Sequence, residues 1–204
     1  MSQSYTIPAQ AIEHTYEVKK SQFIARVCHV LNREQAMTAL EQAKQDYPDA
    51  RHHCWAYLLG NPYSPKSAAF SDDGEPSGTA GKPILNVLNH KGVGDILVIV
   101  TRYFGGIKLG AGGLVRAYST ATQQAMEQLP VITRVATMSV CFQCDYALEP
   151  ELRRFLEQHQ AAITDSQYAE QLRLCCDYPH AQQAELENFV AGRHGLTILC
   201  VTKP

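Results

Sequence analysis

The run GDILVIVTRYF, residues 94–104, constrains the fold more than any other part of the sequence. Its aliphatic core, ILVIV, offers no polar side chain to either face of an extended strand. It is therefore expected to be a central strand, buried on both sides. Five glycines follow at Gly105, Gly106, Gly110, Gly112 and Gly113. The next stretch, LVRAYSTATQQAMEQL, sets Leu114, Tyr118, Ala121, Ala125 and Leu129 on one stripe of an amphipathic helix, closed by Pro130. A buried strand, a glycine-rich turn and a helix thus occur in succession.

Upstream, HTYEVKKSQFIARVCHV alternates as a long strand or a hairpin. In NREQAMTALEQAKQDYP, Asn32 is a good N-cap, Met37, Leu40 and Ala43 mark one helical face, and Pro48 ends the helix. RHHCWAYLLG reads as a strand that runs into the turn-rich GNPYSPKS, and AFSDDGEPSGTAGKP as a loop before a short helix at ILNVLNHK. From Val131 the pattern changes. A strand (TRVATMSVCFQCDY), a helix (PELRRFLEQH), two strands (AAITDSQYAE, QLRLCCDY), a helix (PHAQQAELENFVAGRHG) and a strand (LTILCVTKP) follow in order. This is βαββαβ, the split-βαβ pattern of ferredoxin-like domains. The expected architecture is α+β in two domains, residues 1–130 and 131–204.

Bulk charge rules little in. The chain has 18 basic and 20 acidic residues, a formal net charge of −2, so any nucleic-acid surface must be local. The second domain carries 6 basic against 9 acidic residues and is a poor clamp for RNA. The N-terminus has neither a basic nor an apolar signal region, and no apolar run is long enough for a bilayer. A cytoplasmic protein without membrane association is the expectation. Seven cysteines are expected to stay unpaired in a reducing compartment. Cys141 and Cys144 resemble a redox or metal pair in CFQC, but residues three apart on a strand face opposite ways.

Two segments exceed the needs of packing. SDDGEPSGTAGKP fails as a phosphate loop of the Walker type, since Pro76 takes a required glycine position and Pro83 replaces the Ser or Thr that binds magnesium. Gly110 and Gly112 fail as a dinucleotide fingerprint, because Val115 stands where the third glycine belongs. General physics remains. Amides converging at a helix N-terminus favour an anion, and Arg102, Lys108 and Arg116 add full charges near Gly105, Gly106, Gly110 and Gly113. A tight strand-to-helix connection explains the same glycines. Asp72, Asp73 and Glu75 fit a cation site, a general base, or pairing with nearby arginines. His53 fits a ligand or a core histidine beside Trp55. Tyr103 and Phe104, next to Arg102, fit either base stacking or core packing. No metal or cofactor is expected.

Over SDDGEPSGTAGKPILNVLNHKGVGDILVIVTRYFGGIKLGAGGLVRAYSTA, with HHCWAY before it, the sequence resembles the IMPACT family. The resemblance implies that the first domain has the left-handed βαβ fold of a ribosomal-protein domain, shared with elongation factor G and the GHMP kinases. It implies that the second is similar to the C-terminal domain of elongation factor G. The family's motif falls on His53, Asp72, Asp73, Glu75, Arg102, Tyr103, Phe104, Gly105, Gly106, Lys108, Gly110, Gly113 and Arg116, with no settled catalytic role. Eukaryotic Impact acts in translational control, partly through an RWD domain that is not expected here, so its starvation-kinase role is not carried over. The expected function is translation-associated binding of RNA or a ribosome-associated partner, with a phosphate at the glycine loop. The alternative is an enzyme acting on a phosphorylated or otherwise anionic small molecule.

Overall fold

A computed structural model describes residues 4–202, which divide into two compact units, Tyr5–Arg134 and Ser4 together with the residues from Val135 onward. In chain order the first unit contains β1 (Tyr5–Pro8), β2 (Ile12–Val18), β3 (Ser21–His29), α1 (Arg33–Asp46) and β4 (His52–Leu59). Then come β5 (Ser67–Ser71), α2 (Gly81–Lys91), β6 (Ile96–Tyr103), α3 (Ala111–Gln128) and β7 (Val131–Arg134).

The ILVIV strand is β6, and it occupies the middle of a five-stranded sheet ordered β2-β3-β6-β4-β5. Its side chains alternate between two cores. Ile96, Val98 and Val100 pack with Ile84 and Leu88 of α2 and Leu114, Tyr118 and Ala121 of α3. Leu97 and Ile99 pack on the other face with Ala36, Leu40 and Ala43 of α1. That double burial explains why the strand has no polar side. β3 and β4 flank β6, both antiparallel to it, so they run parallel to each other and α1 forms the crossover between them. Asn32 caps α1, its side chain accepting from the Gln35 amide at 2.9 Å.

Three expectations need correction. Residues 69–71, read as the start of a loop, belong to β5. This edge strand pairs with β4 from Trp55 to Leu59, and its small, weakly alternating side chains concealed it. The segment read as one strand from residue 133 is broken near Val135 and Ala136. Residues 131–134 form β7, which pairs with β1 through Tyr5↔Arg134, so the boundary drawn at residue 131 falls after Arg134. Cysteine pairing is the third.

The second unit runs β8 (Thr137–Cys144), α4 (Glu149–Gln158), β9 (Ala162–Tyr168), β10 (Leu172–Pro179), α5 (Gln183–Ala191) and β11 (Leu196–Thr202). Its antiparallel sheet is ordered β11-β8-β10-β9, which is the ferredoxin-like arrangement. One face carries Val140, Phe142, Leu174 and Tyr178 into a core with Leu152 and Leu156 of α4 and Leu186 and Phe189 of α5. The other face is open to water, as antiparallel sheets allow. Cys144 lies buried on the core face, whereas Cys141 points outward and is bonded to Cys175 of β10. The seven thiols are therefore not all free. The pairing runs across strands, where register brings Cys141 and Cys175 opposite each other. Among the described residues, no helix is long and apolar enough to cross a membrane.

Candidate anion-binding site

The acidic loop after β5 is engaged within the fold. One Asp72 carboxylate oxygen accepts the amides of Ala80 and Gly81 at 3.0 and 2.8 Å, and the other accepts Gly78 at 2.8 Å. Asp72 therefore organises the entry to α2, where backbone donors would otherwise lack partners. Asp73 accepts the His53 amide at 2.6 Å. Both Asp72 oxygens and one Asp73 oxygen are thus turned to main-chain donors, which gives these carboxylates a part in closing the loop. Gly81 shows why this loop needs glycine, since a Cβ there would lie 2.6 Å from the Ser71 carbonyl oxygen.

Glu75 turns the other way. One of its oxygens accepts both Arg102 Nη1 at 2.5 Å and the Tyr118 hydroxyl at 2.9 Å. Both charged side chains are nearly excluded from water. Cys54 Sγ lies 2.9 Å from the Asp72 carbonyl oxygen and 3.3 Å from the Tyr118 hydroxyl. Burial pushes the Cys54 thiol and the Tyr118 hydroxyl far above their usual ranges, so both stay protonated at neutral pH. A thiol in that state is not a nucleophile. Arg102 Nε is buried and makes no hydrogen bond.

Above this network lies a pocket of about 700 Å³, lined by Asp49, Arg51, His52, Glu75, Pro76, Arg102, Tyr103, Phe104, Lys108, Leu109, Gly110, Ala111 and Leu114. The end of β6 supplies Arg102, the start of β4 supplies His52, and the glycine loop with the first turn of α3 closes the remaining side. Gly110 is the N-cap of α3, with φ 72° and ψ 167° and no side-chain cap. The first turn of α3 carries no acidic residue, so its leading amides and dipole are left uncompensated. Arg51 and Lys108 are exposed and form no salt bridge among the described residues. Phe104 is 58% exposed, and the Arg102 guanidinium lies 5.7 Å from its ring centre.

Six of the thirteen expected residues meet here: Arg102, Tyr103, Phe104, Lys108, Gly110 and Glu75 all line the pocket. Tyr103 also packs edge-on against Tyr47. Others do not line it. Gly105 serves packing, because a Cβ there would lie 2.0 Å from the Lys20 carbonyl carbon. Gly106 supplies a left-handed bend at φ 87°, and Gly113 approaches Leu109. Arg116 is exposed one turn into α3, with Nη1 near Gly112. His53 is buried on the α1 face, Nδ1 lying 3.0 Å from Thr101 Oγ1. The residue before it, His52, takes the pocket side. Strand parity carried that signal, since His52 shares a face with Cys54 and Ala56. Asp49 and Arg51, in the bend before β4, had no comparable signature.

Comparison with known proteins decides the family. Residues 19–126 match the Impact N-terminal domain, and residues 142–193 match a domain of unknown function, DUF1949. The Escherichia coli protein named IMPACT family member YigZ is 39% identical over 201 residues, covering 98% of both chains. The chain belongs to the IMPACT family. Within that family, Bacillus subtilis YvyE is 36% identical, covering 83% of this chain and 77% of its own. A Dictyostelium discoideum protein named Protein IMPACT homolog is 32% identical over 105 residues, covering 50% of this chain and 30% of its own. A crystal structure of a hypothetical protein superposes over the full length of both chains, with a TM-score of 0.73 at 38% identity. Every residue that lines the pocket falls inside the Impact N-terminal match.

Proposed function

We propose that this IMPACT protein is a translation-associated binding protein whose first unit takes a phosphate-bearing segment of single-stranded RNA at the pocket. The observation that carries the reading is the combination at one mouth: uncapped α3 amides, Lys108 and Arg51 free of ion pairs among the described residues, Arg102 beneath, and Phe104 open beside them. Amides and cations suit phosphate, and an exposed ring next to a guanidinium suits a stacked base. The family's resemblance to translational regulators supplies the cellular context.

Binding of a single-stranded oligoribonucleotide across a salt series tests it. Three neutralised phosphates give a log–log salt slope of about −2, and Lys108→Gln makes that slope shallower by about 0.7. Phe104→Ala weakens binding by about 1–3 kcal/mol with the slope unchanged. A flat slope, or no binding at low salt, removes the reading.

The pocket's size favours a second reading, because about 700 Å³ matches a small-molecule site. There Glu75 lines the wall of an enzyme acting on a phosphorylated compound. Thermal stabilisation by a mononucleotide but not by oligoribonucleotide selects it.

A further inference from the structure

The open face of the second unit's sheet carries three cysteines at neighbouring positions on three adjacent strands. On β8, Cys141 points outward, and its partner across β10 is Cys175, with Cα atoms 4.0 Å apart. On its other side, Cys141 is opposite Cys200 of β11. That second pairing depends on a bulge. Ile198 opposes Phe142 on the core side, the register shifts by one residue, and Cys200 rather than Leu199 then stands opposite Cys141. Bulges re-aim side chains in this way. Without it, Cys200 would oppose Val140, whose side chain is wholly buried.

The other two thiols of this unit are separated from the row by the sheet itself. Cys144 and Cys176 are buried on the opposite face, and burial pushes the Cys176 thiol up to about 12. Cys200 is exposed. The unit therefore presents one accessible thiol beside one disulfide, with the shared sulfur between them.

We propose that Cys200, Cys141 and Cys175 form a thiol–disulfide exchange site that reacts with low-molecular-weight disulfides, with Cys200 as the entry thiol and Cys141–Cys175 as the resting bridge. In the oxidising direction, the reduced protein begins with the Cys200 thiolate attacking a small disulfide RSSR. This forms Cys200–S–SR and releases one RS⁻. Cys141 thiolate then attacks Cys200 Sγ, forming the Cys141–Cys200 bond and releasing the second RS⁻. Cys175 thiolate attacks Cys141 Sγ, forming the resting bridge and returning Cys200 as thiolate. Two protein thiols lose two electrons, and RSSR becomes two RSH. Because all three partners are register neighbours, the bridge passes between strands without their separating. Exchange requires access for the attacking thiolate, and of the three Cys200 is exposed whereas Cys141 and Cys175 are half-buried.

The test uses the full chain, reduced, desalted and mixed with oxidised glutathione, then acid-quenched, alkylated and mapped by mass spectrometry. Wild-type protein ends with Cys141 joined to Cys175 and Cys200 free. Cys175→Ser stops at a Cys141–Cys200 bridge, and Cys141→Ser stops at a glutathione adduct on Cys200. Cys200→Ser forms the Cys141–Cys175 bridge at least about tenfold more slowly, since the accessible entry thiol is gone. Unchanged oxidation kinetics in Cys200→Ser, or a Cys175→Ser variant with glutathione on Cys141 and no bridge to Cys200, overturns the proposal.

Discussion

A guanidinium fixed through one nitrogen keeps its remaining donors for something else, and Arg102 is held in this way. Nη1 is bound to Glu75, while Nε is buried without a partner beneath the pocket. The pair is tied further by the Tyr118 hydroxyl on the same Glu75 oxygen. Removing one member of a buried ion pair strands the other, so Arg102→Ala is expected to cost about 3–5 kcal/mol in urea unfolding. Glu75→Gln keeps an acceptor for Tyr118 and removes the charge, and is expected to cost less. A double variant with both changes is expected to fall short of the sum, because the stranded charge is no longer there. Equal and additive losses would mean that the two side chains act separately.

One buried carboxylate gathers side chains from both strands of the short β1–β7 ribbon, which is also joined to the fold through the Gly94 amide and the Thr6 carbonyl. Asp95, at the entry to β6, accepts the Tyr5 hydroxyl at 2.6 Å, Arg134 Nη1 at 2.5 Å and the Gly60 amide at 2.7 Å. Burial alone would raise its pKa, but those three donors and the Arg134 charge outweigh it and hold the carboxyl below its usual value. A folded-state pKa below the unfolded one contributes stability that is complete above about pH 3.9 and is lost as pH falls through the folded value. His53, depressed chiefly by burial, has the same sign with its loss beginning below about pH 6.5. Urea midpoints are thus expected to fall in two steps on acidification. Asp95→Asn is expected to make the lower step shallower and leave the upper one in place.

The elements around the pocket differ in how well the sequence announced them. β6 and α3 were legible because every residue of each stripe meets apolar neighbours, and local pattern alone records that. Asp72 was not, since its partners at residues 78, 80 and 81 give it a capping role only once the loop has closed. The glycines divide in the same way. Gly105→Ala meets the Lys20 backbone and is expected to unfold or displace the β2–β3 turn, lowering the thermal midpoint sharply. Gly110→Ala meets open space and bears only backbone strain, about 1–3 kcal/mol, so it is expected to remain folded with the pocket mouth altered.

At the scale of the whole chain, each unit has its own apolar core, and the pocket draws all its residues from the first. A chain ending at Arg134 is therefore expected to fold and to keep whatever affinity the pocket has, as read by titration against the full-length protein. Loss of binding in a folded truncation would mean that the site needs the second unit. The cysteines of that unit's sheet were read from the sequence as unpaired thiols. Their row was hidden because a one-residue bulge in β11, which pattern does not encode, decides where Cys200 points.

The sheet order has a consequence for synthesis. Two hairpins, β2–β3 and β4–β5, are joined only by β6, so neither has its neighbour until residues 96–103 have left the ribosome. Tyr5 waits longer still, because its hydroxyl partners Asp95 and Arg134 lie 90 and 129 residues further along. The first strand made is thus among the last to be docked. A nascent chain stalled before residue 134 exposes unpaired strand edges, the kind of surface that chaperones shield.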